Sequence, residues 1–292
     1  MDCPQTARIA VTPYYVTDPF MIAAQALEAI PGYAAVLWTG GKDSCLALYE
    51  ATRLGLDVRQ LVTFVPSTPQ FRAHPLPFMR LQADALGIPH RTIEVQQPYD
   101  SSYQAGIQML RDRWGIGTLI TGDLRPVSGH PNWISQCARS TGTEILMPLW
   151  AHDGAEVLTK FVKLGFRAIV SCIRTSCMTT DWVGMALDTE ALGELSGLAV
   201  QKGFDVCGEQ GEYHTLVVDG PLFRKRIRIE DYTTTTGEGI AYMEIQAVFL
   251  EDRSARSPLQ HTASRAAHTS PDQSGNPSVP SGGLLTSLDH DR

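Results

Sequence analysis

The run Thr39-Gly40-Gly41-Lys42-Asp43-Ser44 gathers two glycines, a cation, a carboxylate and two hydroxyls. These residue types suit an anionic ligand. Glycines let the backbone turn tightly and approach a ligand without a Cβ clash. Their N–H groups, with those opening a following helix, form an anion nest at the positive end of the helix dipole. Thr39 and Ser44 add hydroxyl donors, and Lys42 neutralises phosphate charge. Asp43 alone would repel phosphate, so its expected task is to hold Mg2+, directly or through water. An ordinary strand–helix turn with exposed Lys and Asp is the alternative. The whole run, in a strand–turn–helix context, favours the phosphate site. It is not a Walker A loop, because no glycine stands five residues before Gly41, and it is not G-x-G-x-x-G.

A second dense cluster is Gly208-Glu209-Gln210-Gly211-Glu212-Tyr213-His214-Thr215. It sets two carboxylates and an imidazole in a glycine-punctuated turn before a strand. Glu212 and His214 are two apart, so an extended segment gives them one face. Such a pair suits proton transfer, or the holding of an amine or ammonium. On the residues alone, a polar turn with a satisfied histidine stands level with that reading.

The elements that must position these clusters alternate in type. Ala34–Trp38 is short and continuously apolar, as a buried parallel strand is. A helix over Ser44–Leu54 follows the glycine turn. Further strands are expected at Val58–Val65, Arg91–Val95, Thr118–Gly122 and Glu144–Met147, with helices at Pro77–Leu86 and Tyr99–Arg113. This alternation predicts an α/β fold with a doubly wound parallel sheet, whose ligands sit at the carboxyl ends of the strands. From Leu158 a second, smaller α/β domain is expected. It has helices at Leu158–Leu164 and Asp188–Gln201, strands at Ala168–Ile173 and Leu216–Val218, and closing strands at Ile227–Ile229 and Met243–Leu250. The expected division is an N-terminal extension over 1–30 with a short helix at Ala23–Ile30, a nucleotide domain over 31–150, a second domain over 151–250, and a tail over 251–292. The tail is rich in Ser, Pro, Thr, Gly, His and Arg, and cannot offset its ordering entropy, so it reads as disordered.

Bulk properties narrow the function. The 292 residues carry 43% hydrophobic and 19% charged side chains, within the globular range. A net charge of -7 argues against a broad grip on nucleic acid. No apolar run approaches the ~20 residues that span a bilayer, and Met1-Asp2-Cys3-Pro4 does not open a signal peptide. A cytoplasmic protein without membrane contact is expected. The six cysteines suit neither a zinc site nor a disulfide framework; reduced thiols, mostly core residues, are expected.

The loop Thr39–Ser44 resembles the pyrophosphate-binding loop of the PP-loop, or N-type ATP pyrophosphatase, superfamily, whose fold is of the adenine nucleotide alpha hydrolase-like, HUP-type Rossmann-like kind. Members cleave ATP between the α and β phosphates. The octet Gly208–Thr215, with Val217-Val218-Asp219-Gly220-Pro221-Leu222-Phe223 after it, is similar to the signature of diphthine–ammonia ligases. Phe71-Arg72-Ala73-His74, the helix ending Gln82-Ala83-Asp84-Ala85-Leu86-Gly87-Ile88-Pro89, Gly122-Asp123, Pro148-Leu149-Trp150 and Trp182-Val183-Gly184 agree in order, over roughly residues 34–250.

The resemblance implies an ATP-dependent ligase. A carboxylate, that of diphthine on elongation factor 2 or another carboxylate, is adenylated with release of pyrophosphate, and ammonia displaces AMP. Mg2+ accompanies ATP, with Asp43 as its ligand. Thr39, Gly40, Gly41, Lys42, Asp43 and Ser44 bind the phosphates. The adenine edge meets the backbone at Thr63-Phe64-Val65, and Gly122 and Asp123 lie near the nucleotide. Lys42, Asp43, Glu209, Glu212 and His214 carry the chemistry, the last three facing the acyl-adenylate from the second domain. A shielded cleft would supply much of the acceleration by holding the reactants together. A homodimer is left open.

Leu124–Trp133 departs from the charged, arginine-bearing run expected after Gly-Asp, which leaves the acceptor open. The other readings are a PP-loop enzyme that modifies tRNA and a non-catalytic adenine-nucleotide module. His74 is divided between a nucleotide-side or substrate contact and a structural loop role. Cys137 reads as a buried helix residue, and Cys172 and Cys177 as non-metal thiols. Arg224, Arg226 and Arg228 alternate on one strand face, read as solvated in preference to a docking patch. Trp150 and Trp182 are expected to pack the domain junction.

Overall fold

The apolar run of the first strand becomes the centre of a parallel sheet. In the computed structural model, which describes residues 32–126 and 133–253, β1 (Tyr33–Leu37) buries Ala34, Ala35 and Val36 completely. Ala34 and Val36 point into one core and Ala35 into another, the alternation a strand covered on both faces requires. β1 pairs in parallel with β2 (Val58–Val65) and with β4 (Ile116–Ile120). With β3 (His90–Glu94) and β5 (Glu144–Leu146) the order is β3-β2-β1-β4-β5. The chain turns outward in opposite directions from β1, so a crevice opens at the carboxyl ends of β1 and β4.

Helices cover both faces of this sheet. α1 (Lys42–Arg53) and α2 (Leu76–Leu86) pack Leu46, Leu48, Phe78 and Met79 on one side. α3 (Tyr99–Trp114) and α4 (Trp133–Ala138) pack Ile107, Leu110, Ile134 and Cys137 on the other. Cys137 is thus the buried helix residue expected.

The remaining elements are α5 (Gly154–Lys163), β6 (Arg167–Arg174), α6 (Thr189–Lys202), β7 (Tyr213–Asp219), β8 (Lys225–Gly237) and β9 (Ile240–Asp252). Asp153 and Asp188 cap α5 and α6, each accepting two backbone N–H groups. Within the mixed α/β class, this second sheet is antiparallel throughout, in the order β7-β6-β9-β8. One core continues beneath both sheets, joining Val36, Leu46 and Phe78 to Phe161, Val170, Leu216 and Trp182. Trp150 is only half-buried.

Boundaries move at several elements: α5 begins at Gly154 rather than Leu158, and β4 runs Ile116–Ile120 rather than Thr118–Gly122. β7 begins at Tyr213 rather than Leu216, which turns the end of the second motif into strand. The short closing strands are parts of one long hairpin, β8–β9. Of the arginine face expected to be solvated, Arg224 and Arg228 are exposed, with Arg228 Nε meeting Glu251 at 2.6 Å on the surface; only Arg226 is drawn in, its Nε binding buried Asp219 at 3.2 Å. The expected helix at Ala23–Ile30, the extension 1–30, residues 127–132 of the departing segment and the tail past Arg253 lie outside the described residues; the first residues assigned to that tail, 251 and 252, end β9.

Candidate active site

The phosphate loop leaves β1 behind the fully buried Trp38, whose carbonyl accepts the Thr63 hydroxyl at 2.6 Å. Gly40 has φ +75, a left-handed conformation that a side chain would strain, and this permits the tight turn into α1. The loop is not an open row of donors. Gly40 N–H donates to Ser44 Oγ at 3.1 Å, and Gly41 N–H donates to Thr39 Oγ1 at 3.3 Å. Lys42 N–H donates to Thr215 Oγ1 at 3.0 Å. The Thr39 hydroxyl donates to Ser44 Oγ, which in turn donates to the Gly41 carbonyl. The hydroxyls expected as donors to an anion therefore act here as acceptors for the nest itself.

Gly122, just past β4, lies against the start of α1. A Cβ there would stand 2.6 Å from the Asp43 carbonyl carbon and 2.8 Å from Ser44 N. Only a glycine allows that approach. Asp123 accepts the Thr121 hydroxyl at 2.8 Å and adds negative charge beside Asp43 and Glu209.

The charged centre lies between the two sheets. Lys42 is 5% exposed, and its Nζ meets Asp43 Oδ2 at 2.7 Å. The same ammonium stands 5.4 Å over the ring of Tyr213, the first residue of β7. Burial works to lower the Lys42 pKa, but Asp43, Cys207, Tyr213 and Glu209 together hold it well above the usual range. Burial raises the Asp43 carboxyl against the pull of Lys42. Donor atoms of Asp43, Cys207 and Glu209 all lie within 4.8 Å of one another. Burial, and next the Asp43 charge, push Glu209 up to about 8. The Cys207 thiol, 4.0 Å from Asp43 Oδ1, is likewise held up by burial.

The second motif divides on folding. Glu209 turns toward Lys42 and Asp43, whereas Glu212 does not join them. Glu212 is 3% exposed, and its Oε2 accepts the Gln210 N–H at 2.9 Å, closing its own turn. The expected common face with His214 is not used, because the turn's own amide takes the carboxylate. His214 instead meets His74 edge-on, with ring centroids 5.2 Å apart. His74 Cε1 would be 3.1 Å from a Cβ on Gly41, so the pair flanks the phosphate loop. Burial, then Lys42 and Arg174, lower His214 to about 4; burial, then His214 and Lys42, lower His74 well below its usual value. Both rings are neutral at pH 7.

Phe64 stands apart from this cluster. Its ring stacks on Tyr103 at 4.3 Å within the core on the other face of the sheet. Only the backbone at the end of β2 remains on the crevice side. Tyr213, Thr215, Cys207 and Gln82 belong to the site without having been singled out. Thr215 and Tyr213 lay inside the second motif. Gln82 had two signals, its place at the head of the run Gln82–Pro89 and its amide among the buried apolar residues Phe78, Met79 and Ala83 of α2. Among the described residues, no helix is long and apolar enough to cross a membrane.

Comparison with known proteins covers the same elements. Residues 32–145 match the diphthamide synthase N-terminal domain and residues 153–250 match the diphthamide synthase C-terminal domain. A diphthine–ammonia ligase of Schizosaccharomyces pombe is 25% identical over 249 residues, 76% of this chain and 40% of that protein. The Mus musculus diphthine–ammonia ligase is 22% identical over 267 residues, 81% of this chain and 99% of the relative. That of Danio rerio is 26% identical, over 72% of this chain and 91% of its own length. A solved structure described as a predicted subunit of tRNA methyltransferase from Methanocaldococcus jannaschii is 17% identical, covers 65% of this chain and 98% of its own, and has a TM-score of 0.37.

Proposed function

This chain belongs to the diphthamide synthase family, and from that premise we propose that it is an ATP-dependent ligase that converts a carboxylate to an amide with ammonia. Its acceptor in this reading is diphthine on elongation factor 2. One observation carries the reading: Lys42 and Asp43, opening α1, meet Glu209, from the second-sheet side, within one charged cluster. Residues 31–150 would bind the nucleotide and 151–250 would receive acceptor and ammonia, in the cytoplasm.

The chemistry has two steps. An acceptor carboxylate oxygen attacks the α-phosphorus of ATP, a P–O bond forms, and the α–β bridge breaks with its electron pair leaving on pyrophosphate. Ammonia then attacks the acyl carbon, the C–O bond breaks with its electron pair leaving on the AMP phosphate, and the proton lost by the nitrogen passes to that phosphate or to water. Lys42 supplies positive charge where pyrophosphate departs, from a site already desolvated, so little reorganisation is required. The Gly40 and Gly41 N–H groups serve the same charge once the Ser44 and Thr39 hydroxyls rotate from acceptors to donors, while the Lys42 N–H is held by Thr215. Gly122 lets the loop seat deeply against β4.

Mg2+ fits this donor set. Asp43 and Glu209 offer hard carboxylate oxygens near Asp123; burial raises both carboxyls, and neighbouring carboxylate charge adds to the rise. Asp43 Oδ1 and Glu209 would hold the ion, since Lys42 occupies Asp43 Oδ2 and the Cys207 thiol stays protonated. The ion would screen phosphate oxygens. His214, neutral and buried beside His74, keeps a lone pair to hold an N–H of ammonia. The thiols of Cys45, Cys137, Cys172 and Cys207 are all held above the usual range by burial, which gives no support to thiolate chemistry on tRNA.

The test is incubation with ATP, 15N-ammonium and elongation factor 2 bearing diphthine. AMP, pyrophosphate and a 15N-labelled amide are expected. Formation of ADP and phosphate, or no labelled amide, overturns the reading.

A further inference from the structure

Strand β7 grips the phosphate loop directly. Val217 N–H donates to the Gly40 carbonyl at 3.1 Å. Thr215 Oγ1 takes the Lys42 N–H at 3.0 Å. Gln82 Nε2 donates at 2.8 Å to the Gly40 carbonyl and at 2.8 Å to the Val217 carbonyl, which ties loop, helix α2 and strand together. Gln82 is 0% exposed. A buried amide is costly unless its hydrogen bonds are made, and here they are made on one side only. Gln82 Oε1 crowds the position of a Gly40 Cβ and has no partner among the described residues. His74, whose ring meets Gly41 through Cε1, has an Nδ1 that likewise has no partner among the described residues. Each loop glycine is thus packed by a buried side chain that carries a polar atom without a bond among the described residues. Structures in a single finished state rarely keep such atoms. A junction that exchanges partners would.

The exchange follows from the loop amides. An incoming anion must compete with the acceptors those amides already hold. Thr39 and Ser44 are local and need only rotate. The third acceptor, Thr215, sits on the second sheet, immediately after Glu212, Tyr213 and His214.

We propose that Thr215 and Gln82 form a latch between the phosphate loop and strand β7, such that a pyrophosphate group at the loop takes the Lys42 amide from Thr215 and releases the segment Gly208–His214 to reposition. The physiological ligand, the pyrophosphate portion of ATP, rests on the proposed ligase reading; the coupling does not. Coupling is reciprocal. When pyrophosphate leaves, Thr215 regains the amide and the segment returns, so departure of the first product is linked to the placement of groups that meet ammonia.

The experiment uses the full chain, with magnesium pyrophosphate as probe and AMP as control. Hydrogen exchange is followed over residues 208–219, and pyrophosphate affinity is measured by calorimetry. In the wild type, pyrophosphate should change exchange of that segment about tenfold, a shift of one hydrogen bond's size, and AMP should not. Thr215→Ser keeps the hydroxyl and should behave as wild type. Thr215→Val keeps the shape but frees the Lys42 amide. It should bind pyrophosphate about tenfold more tightly, with no further response in the segment. A merely structural role predicts the opposite sign, weaker binding. Gln82→Met, which loses both donated bonds, should also uncouple the segment, and it decides the matter if Thr215→Val does not fold. A wild type that shows no response to pyrophosphate, or a Thr215→Val variant that binds it more weakly, overturns the latch. Failure to form a labelled amide would remove the ligase reading and leave the latch standing, and the reverse also holds.

Discussion

Replacing Glu209 by Gln isolates the electrostatic cost of the charged cluster. Burial, and next Asp43, move this carboxyl from 4.5 in the unfolded reference to about 8. Between those values the folded protein holds a proton that the unfolded chain has released. The stability tied to that proton is fully present below about pH 4.5 and is lost as pH rises through about 8. Each unit is worth at most about 1.4 kcal/mol, so the whole window amounts to about 5 kcal/mol. Glu209 is partly exposed, and solvent screening brings the expectation to about 2 kcal/mol. Gln keeps the shape and does not titrate. Urea denaturation should therefore give wild type and Glu209→Gln matching stabilities near pH 5, with the variant about 2 kcal/mol more stable near pH 8.5, a midpoint shift of about 1 M. The histidines titrate alike in both proteins and cancel in the difference. Mg2+ should reduce the pH dependence of the wild type and leave the variant unchanged. A difference that is constant with pH, or a variant that is the less stable near pH 8.5, refutes the close grouping of Glu209 with Asp43.

Three further outcomes are expected. Gly122→Ala places a methyl 2.6 Å from the Asp43 carbonyl carbon and 2.8 Å from Ser44 N; calorimetry should show ATP affinity falling at least about tenfold, and denaturation a loss of about 1–3 kcal/mol. His214, lowered to about 4 by burial, Lys42 and Arg174, contributes stability that is full above its unfolded value of 6.5 and is lost as pH falls toward 4; its NMR titration should show no midpoint between about pH 5 and 8, and one near 6.5 would refute the buried pairing with His74. Arg226→Ala leaves Asp219, 3% exposed, with only Arg253, at 3.5 Å, as an ion-pair partner among the described residues; it should cost about 2–3 kcal/mol in denaturation while turnover stays at the wild-type rate, and a loss of turnover without destabilisation would restore the docking patch.

What the sequence disclosed depended on how far apart the interacting residues lie. β1, the glycine loop and α1 were legible because a strand buried on both faces is continuously apolar and its turn needs glycine, all within one short stretch. The hairpin β8–β9 was read as fragments because its middle, Tyr232-Thr233-Thr234-Thr235-Thr236, is largely exposed and shows no apolar alternation. Phe64 was placed by strand position, which fixes where its backbone lies but not that its ring faces Tyr103 on the other side of the sheet. Glu212 was paired with His214 by the period of a strand, yet the turn before β7 consumes its carboxylate through the Gln210 amide. Spacing states which residues can share a face; it does not state which nearby donor takes the carboxylate first.

The phosphate loop shows the same division inside one motif. Its residue types announce an anion site, and each type is explained by its neighbours within the loop. Two of its amides are taken within the loop, but whether that of Lys42 is free is decided elsewhere, by a threonine across a sequence separation of 173, on a strand that Gln82 ties to the loop across 135. A nest whose donors are already taken binds an anion less tightly than its sequence promises, because the anion must displace acceptors rather than water. That lost affinity has a use in the proposed ligase reaction, where pyrophosphate is a leaving group. Uniformly tight binding of a leaving group slows turnover, whereas contacts made only as charge develops accelerate it. The placement of Thr215 on the strand that carries His214, rather than in the loop itself, makes the strength of the phosphate site depend on the state of the second sheet.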